Sequence, residues 1–304
     1  MKKYGQKVKI IVVLAAVFIF PLLTNSYWTH IATLAGVYII LSLGLNIILG
    51  FCGILMLGYA ALYGIGAYFA ALASTNLHLS FWLTLPISFL ATLFFSVLAG
   101  APAIRLKGDY LAIVTLGFGE IIRLLFNNLD VVTNGPKGIR GIAHPEFFSF
   151  KFSSPTHFYY LVLFFVLAIA FFVYKLKKSK IGKAWFAIKE DEIAAQSCGI
   201  DTTYMKFLAF AIGGGIAGIA GCFYAHWIGF ISPESFTFYE SVLIVSMVVL
   251  GGMGNIKGCI ISAIILSLLP EVLRGFQSYR MLIFGALLVL IMIFKPEGLI
   301  LKKK

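Results

Sequence analysis

Apolar runs of roughly membrane-spanning length, about 20 residues each, recur from one end of this 304-residue chain to the other. They constrain the fold more than any other feature. In lipid every backbone N–H and C=O must find a partner inside the protein, so such runs become helices packed on helices. Composition agrees: 61% of residues are hydrophobic and 12% charged, where soluble domains carry roughly 25% charged residues. The reading is an all-α polytopic membrane protein, one transmembrane domain over residues 1–304. No stretch remains for a separate soluble catalytic domain.

The apolar segments fall at about Lys9–Leu23, Ile31–Leu49, Ile54–Ala73, Phe81–Ile104, Tyr110–Asn127, His157–Leu176, Phe207–Ile228, Tyr239–Gly252, Gly258–Pro270 and Met281–Phe294. The eighth and ninth are short for full crossings and read equally as half-helices that dip in and return. The first follows MKKYGQKVK without a small-residue cleavage site after it, which reads as an uncleaved span rather than a signal peptide. An outer loop is expected at residues 128–156, where Asn134-Gly135-Pro136 signals a turn.

The chain holds 24 Lys and Arg residues. A formal charge of +12 invites a nucleic-acid reading, but the basic residues stand at the ends of apolar segments. Ten crossings with the N-terminus inside place eighteen of them in the cytoplasm, and only Arg123, Lys137, Arg140, Lys151, Arg274 and Arg280 outside. That bias predicts both termini and the central loop to be cytoplasmic. Nucleic acid is not a partner on this reading; lipid is the solvent.

The central loop, residues 177–206 with Lys175 just ahead of it, is the longest hydrophilic stretch. Lysines crowd its first half, the acids Glu190, Asp191 and Glu192 follow, and a small-residue run closes it. From Gly182 to Ser197 it is expected to form one short helix, with Trp185 and Ile188 on a common face at i, i+3. A solvated connector would explain the charges. It would not explain an aromatic residue among them, and an aromatic anchor with a charged rim is how a protein partner is held.

Within the membrane segments three features carry the candidate chemistry. Glu120 and Arg123 lie three apart on one helix; an ionisable residue at membrane depth is a functional hypothesis by default. They either neutralise one another near the outer interface or line a passage for a zwitterionic solute, with Asn46 and Thr115 on the same route. Glycines interrupt two segments, at Gly58, Gly64 and Gly66 and again at Gly251, Gly252 and Gly254. Paired breaks of that kind mark discontinuous helices beside a pathway, here related by a weak internal repeat. The run Gly213–Gly221, with Gly214 and Gly218 spaced as G-x-x-x-G, reads foremost as close helix packing.

Cys52, Cys198, Cys222 and Cys259 are scattered without C-x-x-C or zinc spacing, and the five histidines are dispersed, so neither a metal nor a cofactor is expected. No G-x-x-x-x-G-K-[ST] occurs, so the chain has no phosphate loop of its own. With Glu120 read as the one carboxylate well inside a span, no nucleophile–base or paired-carboxylate set can be placed at one depth, and an embedded enzyme is the least favoured of the rival readings.

Several ordered blocks then stand out together: GLNIILGFCGILMLGYAALYGIGAY (Gly44–Tyr68), RLKGDYLAIVTLGFGEIIR (Arg105–Arg123), NGPKGI (Asn134–Ile139), IGKAWFAIKEDEIAAQSCGI (Ile181–Ile200) and VVLGGMGNIKG (Val248–Gly258). Over nearly its whole length the chain resembles the LivM-type permease subunits of branched-chain amino acid ABC importers. The resemblance implies two cytoplasmic ATP-binding subunits, a second homologous permease of the LivH type, an extracytoplasmic solute-binding protein, and alternating access driven by ATP. It further implies that the central loop is the coupling helix, with the pattern E-A-A-x-x-x-G. Ala194, Ala195 and Gly199 match; Ile193 stands where the glutamate belongs, and Glu192 comes one position early. On this reading the coupling residues are Gly182, Trp185, Ile188, Glu190, Asp191, Glu192, Ala194, Ala195 and Gly199. The pathway residues are Glu120, Arg123, Asn46, Thr115, Gly64, Gly66, Gly252 and Gly254. Urea and short-amide importers use similar permeases and stay open as an alternative. So does a self-sufficient secondary transporter in which Glu120 couples to protons.

Overall fold

The computed structural model describes residues 18–272, less positions 103–105, 107, 148–149 and 153, together with residues 285, 286 and 289. The first expected segment lies largely, and the tenth almost wholly, outside the described residues, as do both termini.

The principal helices of the described residues are α1 (Ser26–Leu45), α2 (Tyr59–Asn76), α3 (Phe81–Gly100), α4 (Asp109–Asn128), α5 (Pro155–Lys178), α6 (Lys180–Glu190), α7 (Glu192–Ser197), α8 (Thr202–Ile228), α9 (Phe238–Gly251) and α10 (Ile256–Val272). Six stretches are long and apolar enough to cross a membrane: Ser26–Phe51, Phe81–Gly100, Tyr110–Asn128, Pro155–Lys178, Thr202–Ile228 and Pro233–Gly251. The eighteen-residue α2 is not among them. Most of its residues are buried, so protein rather than lipid forms most of its surroundings, and it tolerates Tyr59, Tyr63, Tyr68, Ser74 and six alanines on its buried faces.

The centre of the bundle is α8, clasped by α1, α2 and α3. Its glycines explain the closeness. A Cβ at Gly66 of α2 would sit 2.5 Å from the Gly218 Cα, and one at Gly44 of α1 would sit 2.9 Å from the Gly213 carbonyl oxygen. Backbones this near leave no room for side chains, and in lipid, where helices gain no hydrophobic drive toward one another, such packing supplies the attraction. The third partner, α3, turns a stripe of small polar residues inward at four-residue spacing. Thr84, Ser88, Thr92 and Ser96 are fully buried, while Leu83, Leu90, Phe94 and Leu98 are exposed. Ser88 donates to the Gly66 carbonyl (3.0 Å) and Ser96 to the Phe210 carbonyl (2.6 Å). Packing is therefore the role of the Gly213–Gly221 run.

Gly64 and Gly66 lie inside an unbroken helix, so they do not interrupt the third segment as the sequence suggested. The break comes earlier. After α1 the backbone widens into a π-helical turn over Asn46–Phe51, then runs without regular structure to Gly58, where α2 begins. Gly53 supplies the left-handed turn (φ +78°) that this exit requires. The second break falls where expected, over residues 252–255 between α9 and α10, with Gly252 and Gly254 both at positive φ.

At the end of the bundle away from the lysine-rich loop, the described residues between 128 and 154 form a cap. Its strand β1 (Ile139–Arg140) pairs antiparallel with β4 (Phe230–Ile231), the segment leaving α8; β2 (Glu146–Phe147) and β3 (Phe150–Lys151) make a small hairpin.

Candidate functional site

The lysine-rich loop folds as two helices rather than the single one expected. Asp191 leaves helical geometry (φ −156°, ψ 113°) and its carboxylate accepts from the Ile193 and Ala194 amides at 2.8 and 3.0 Å, capping α7. Ser179 caps α6 in the same way, its hydroxyl accepting from the Gly182 amide. An N-cap in mid-segment ends one helix and begins another, which the charge pattern alone does not reveal.

Trp185 corrects the expectation of an aromatic anchor offered to a partner. It is fully buried, stacks on Phe51 of the π-turn at 6.5 Å between centroids, and donates its indole N–H to the Met205 carbonyl at 2.7 Å. Ile188, Gly182 and Ala195 face inward with it. The anchor is spent within the chain, clamping the loop to the ends of α1 and α8. What faces water is Glu190, Asp191, Ile193, Ala194, Gln196, Ser197, Cys198 and Gly199, with Ile193 70% exposed. Glu192 is only partly exposed; its Oε1 takes the Lys206 ammonium at 2.6 Å, and that lysine side chain is 7% exposed. The three neighbouring acids thus have three different positions: one solvated, one capping, one paired.

Beneath the loop the two backbone breaks meet. Asn46 Oδ1 accepts from the Gly254 amide at 2.8 Å, and Lys189 donates to the Gly50 carbonyl at 3.0 Å. Lys177 donates to the Gly254 carbonyl. Broken backbone exposes orphan carbonyls, and lysines from the loop and the end of α5 satisfy them. Any displacement of the loop must therefore pull on both breaks. Beside this junction Cys52, Gly53, Leu106, Gly108, Ile188, Lys189, Glu192 and Lys206 are among the residues around a cavity of about 250 Å³ with a mixed polar and apolar lining.

Asn46 and Thr115 are both fully buried and bound into this packing, and neither lines an open passage. Thr115 accepts from the Leu57 amide at 3.1 Å, fixing the segment that leads into α2. Gly252 lies buried at the second break. Glu120 and Arg123 form the expected pair, Nε and Nη2 each 2.9 Å from Oε2, with side chains about a third exposed. Glu120 lines a cleft with Leu57, Ala60, Ala61, Gly119, Phe236 and Ser241, where α2 and α9 both begin. The Ala60 amide donates to Ser241 Oγ there, at 2.9 Å. About 10 Å³ is free in it, room for roughly one water, so the cleft is closed to any amino acid. Beside it Tyr68 stacks on Phe126 at 4.0 Å between centroids, with Phe236 next to them. Gly64 makes room for the stack: a Cβ there would lie 3.0 Å from Phe236 and 3.1 Å from Phe126. Gly66 instead belongs to the α2–α8 contact and not to the cleft.

Residues 27–292 match the family described as branched-chain amino acid transport system / permease component. The chain belongs to this family. It is 41% identical to the high-affinity branched-chain amino acid transport system permease protein LivM of Salmonella typhimurium, over 97% of this chain and 75% of that protein. The Escherichia coli LivM protein gives 42% over the same shares. The E. coli permease protein LivH of the same named system is 25% identical over 88% of this chain and 92% of its own length. No solved structure matches. As a member of this permease family with several apolar helices, the chain is a multi-pass membrane protein.

One acid in this permease escaped the sequence reading. Glu240 sits in the first turn of α9 and accepts a hydrogen bond from Tyr38 of α1 at 2.9 Å. Glu120 is therefore not the one carboxylate within a span. Glu240 looked like the polar edge of the eighth segment, because the sequence gives no sign that Tyr38, 202 residues away, lies within reach of its carboxylate.

Proposed function

We propose that this chain is the membrane-embedded permease subunit of an ATP-driven importer carrying branched-chain or related hydrophobic amino acids inward across the cytoplasmic membrane of a bacterium or archaeon. The observation that carries the reading is the 41–42% identity to LivM proteins across 97% of the chain. Hydrolysis of ATP falls to cytoplasmic partner subunits, solute capture to an extracytoplasmic binding protein, and the other half of the membrane domain to a LivH-type permease.

The ATPase docks on the solvated side of the loop: Glu190, Asp191, Ile193, Ala194 and Gly199. Trp185, Ile188, Gly182, Ala195 and the Glu192–Lys206 pair form the stiff connection behind that face. The loop's lysines hold both backbone breaks, so a movement imposed by the ATPase reaches Asn46, Gly50, Gly252 and Gly254 together. From Gly50 the strain has seven residues of irregular backbone before α2, whose first turn lines the Glu120 cleft. Alternating access on this account is the opening of that cleft, with the Tyr68–Phe126–Phe236 stack as its outer closure and Glu120 and Arg123 as exchange partners for the zwitterion's charged ends.

Purification in mild detergent from the native membrane tests the assignment. An ATPase and a second permease come with the wild-type chain, and the ATPase is lost when residues 190–199 are replaced by Gly/Ser linker. A chain that purifies alone and moves solute alone in vesicles overturns it.

A further inference from the structure

We infer that the open face of α4, centred on Gly117, is the surface on which the second permease packs, so that the Glu120 cleft is completed by the partner. The inference rests on the permease reading above and adds a location to it.

Of the six candidate spans, Tyr110–Asn128 is the least buried by its own chain, at 22%, yet its mean hydropathy is the lowest, shared with Pro233–Gly251. Lipid contact demands the opposite ordering; Phe81–Gly100, nearly as exposed at 28%, is much more apolar. The same face carries the Glu120–Arg123 pair, about a third exposed. Charged groups turned to acyl chains cost several kcal/mol, so such groups face protein or a water-filled cavity. Ile113, Gly117, Glu120, Ile121 and Leu124 follow helical spacing along one side, with Ile113 65% and Ile121 59% exposed. Among the described residues nothing lies within 4 Å of a Cβ placed at Gly117, whereas Gly58, Gly66 and Gly218 are each filled by a neighbouring helix. Gly117 is thus the helix glycine in this span whose close approach is still unused.

The occupant is a permease of the same fold. Two permease proteins, LivM and LivH, carry one system's name in E. coli, and this chain is related to both over most of its length. Two similar folds pair most simply through equivalent faces about a two-fold axis. That arrangement puts both α4 helices at the centre, encloses the charged pair, and gives the cleft a wall that this chain alone lacks.

A photo-crosslinking amino acid placed at Gly117, Ile113 or Ile121 of the intact complex in native membranes tests the location, with Phe94 of α3 and Phe164 of α5 as lipid-facing controls (both 65% exposed). The expected result is an adduct with the second permease from the α4 positions, about tenfold stronger than from the controls, a difference worth ~1.4 kcal/mol on an equilibrium scale. Co-purification of the second permease is scored in every sample. If it co-purifies but its adducts come from Phe94 or Phe164, the location is wrong and the permease reading stands. If no permease co-purifies, both fall. Adducts from α4 only within the chain itself, or only with a second copy of it, also overturn the inference. Gly117→Trp supplies an independent readout: a Cβ there meets nothing within 4 Å among the described residues, so the expected result is normal thermal stability of the chain itself with recovery of the second permease down about tenfold, and unchanged recovery overturns the location.

Discussion

The Glu192–Lys206 pair offers the sharpest test of how the loop is held. Lys206 is 7% exposed on its side chain and its ammonium lies 2.6 Å from Glu192 Oε1. Removing one partner of a buried pair costs 3–5 kcal/mol, because the other charge is stranded. Glu192 keeps 25% exposure, so water reaches one side and Glu192→Gln is expected near the lower bound, about 3 kcal/mol. The reverse change is milder. Lys206→Met leaves a carboxylate that can rehydrate, for about 1 kcal/mol, and the double variant should cost less than the two singles combined, with a coupling of roughly 1–3 kcal/mol. The assay is unfolding of the purified complex against SDS mole fraction, read by intrinsic fluorescence, with ATP-driven uptake measured in parallel. Uptake should fall further than the folded fraction, since the pair ties α7 to α8. Glu192→Gln indistinguishable from wild type, or strict additivity in the double variant, would refute the argument.

Trp185→Ala empties the loop's internal anchor and removes its bond to the Met205 carbonyl; it should destabilise by roughly 3–5 kcal/mol, with Trp185→Phe intermediate, measured by the same titration. Glu190→Lys should abolish coupled uptake with normal amounts of folded protein, whereas Asp191→Ala should mainly weaken α7 by about 1 kcal/mol, seen as faster proteolysis after residue 190. Gly218→Leu should eliminate folded protein in the membrane fraction, because its Cβ position already touches Thr92 and the Ser88 backbone, while Gly117→Leu should leave the chain's own thermal stability in detergent unchanged.

Much of this fold was legible because lipid permits so little. Segment positions for Ile31–Leu49, Phe81–Ile104, Tyr110–Asn127, His157–Leu176 and Phe207–Ile228 sit within a few residues of α1, α3, α4, α5 and α8. The packing glycines of α8 and the Glu120–Arg123 pair were equally readable from spacing. What the sequence concealed is direction. Trp185 looks the same in a list of residues whether it points at a partner or at Phe51, and only the fold decides that Phe51 and the Met205 carbonyl lie within reach. Gly64 and Gly66 suggested a broken helix, since glycine marks both breaks and close contacts, and here the neighbours Phe126, Phe236 and Gly218 select the second meaning. Glu240 was hidden because its partner lies far away in sequence: the first turn of α9 packs on α1, where Tyr38 donates to the carboxylate.

The central claim is that this chain is required for inward, ATP-driven movement of a branched-chain amino acid. Proteoliposomes holding this permease, its second permease and its ATPase, with the binding protein outside and ATP enclosed, test it through uptake of radiolabelled leucine. The account predicts accumulation that needs ATP and the binding protein, disappears when this chain is omitted, and is competed by isoleucine and valine. Leucine accumulating through this chain alone on a proton gradient, or an assembled and ATP-hydrolysing complex that ignores all three amino acids, would contradict it.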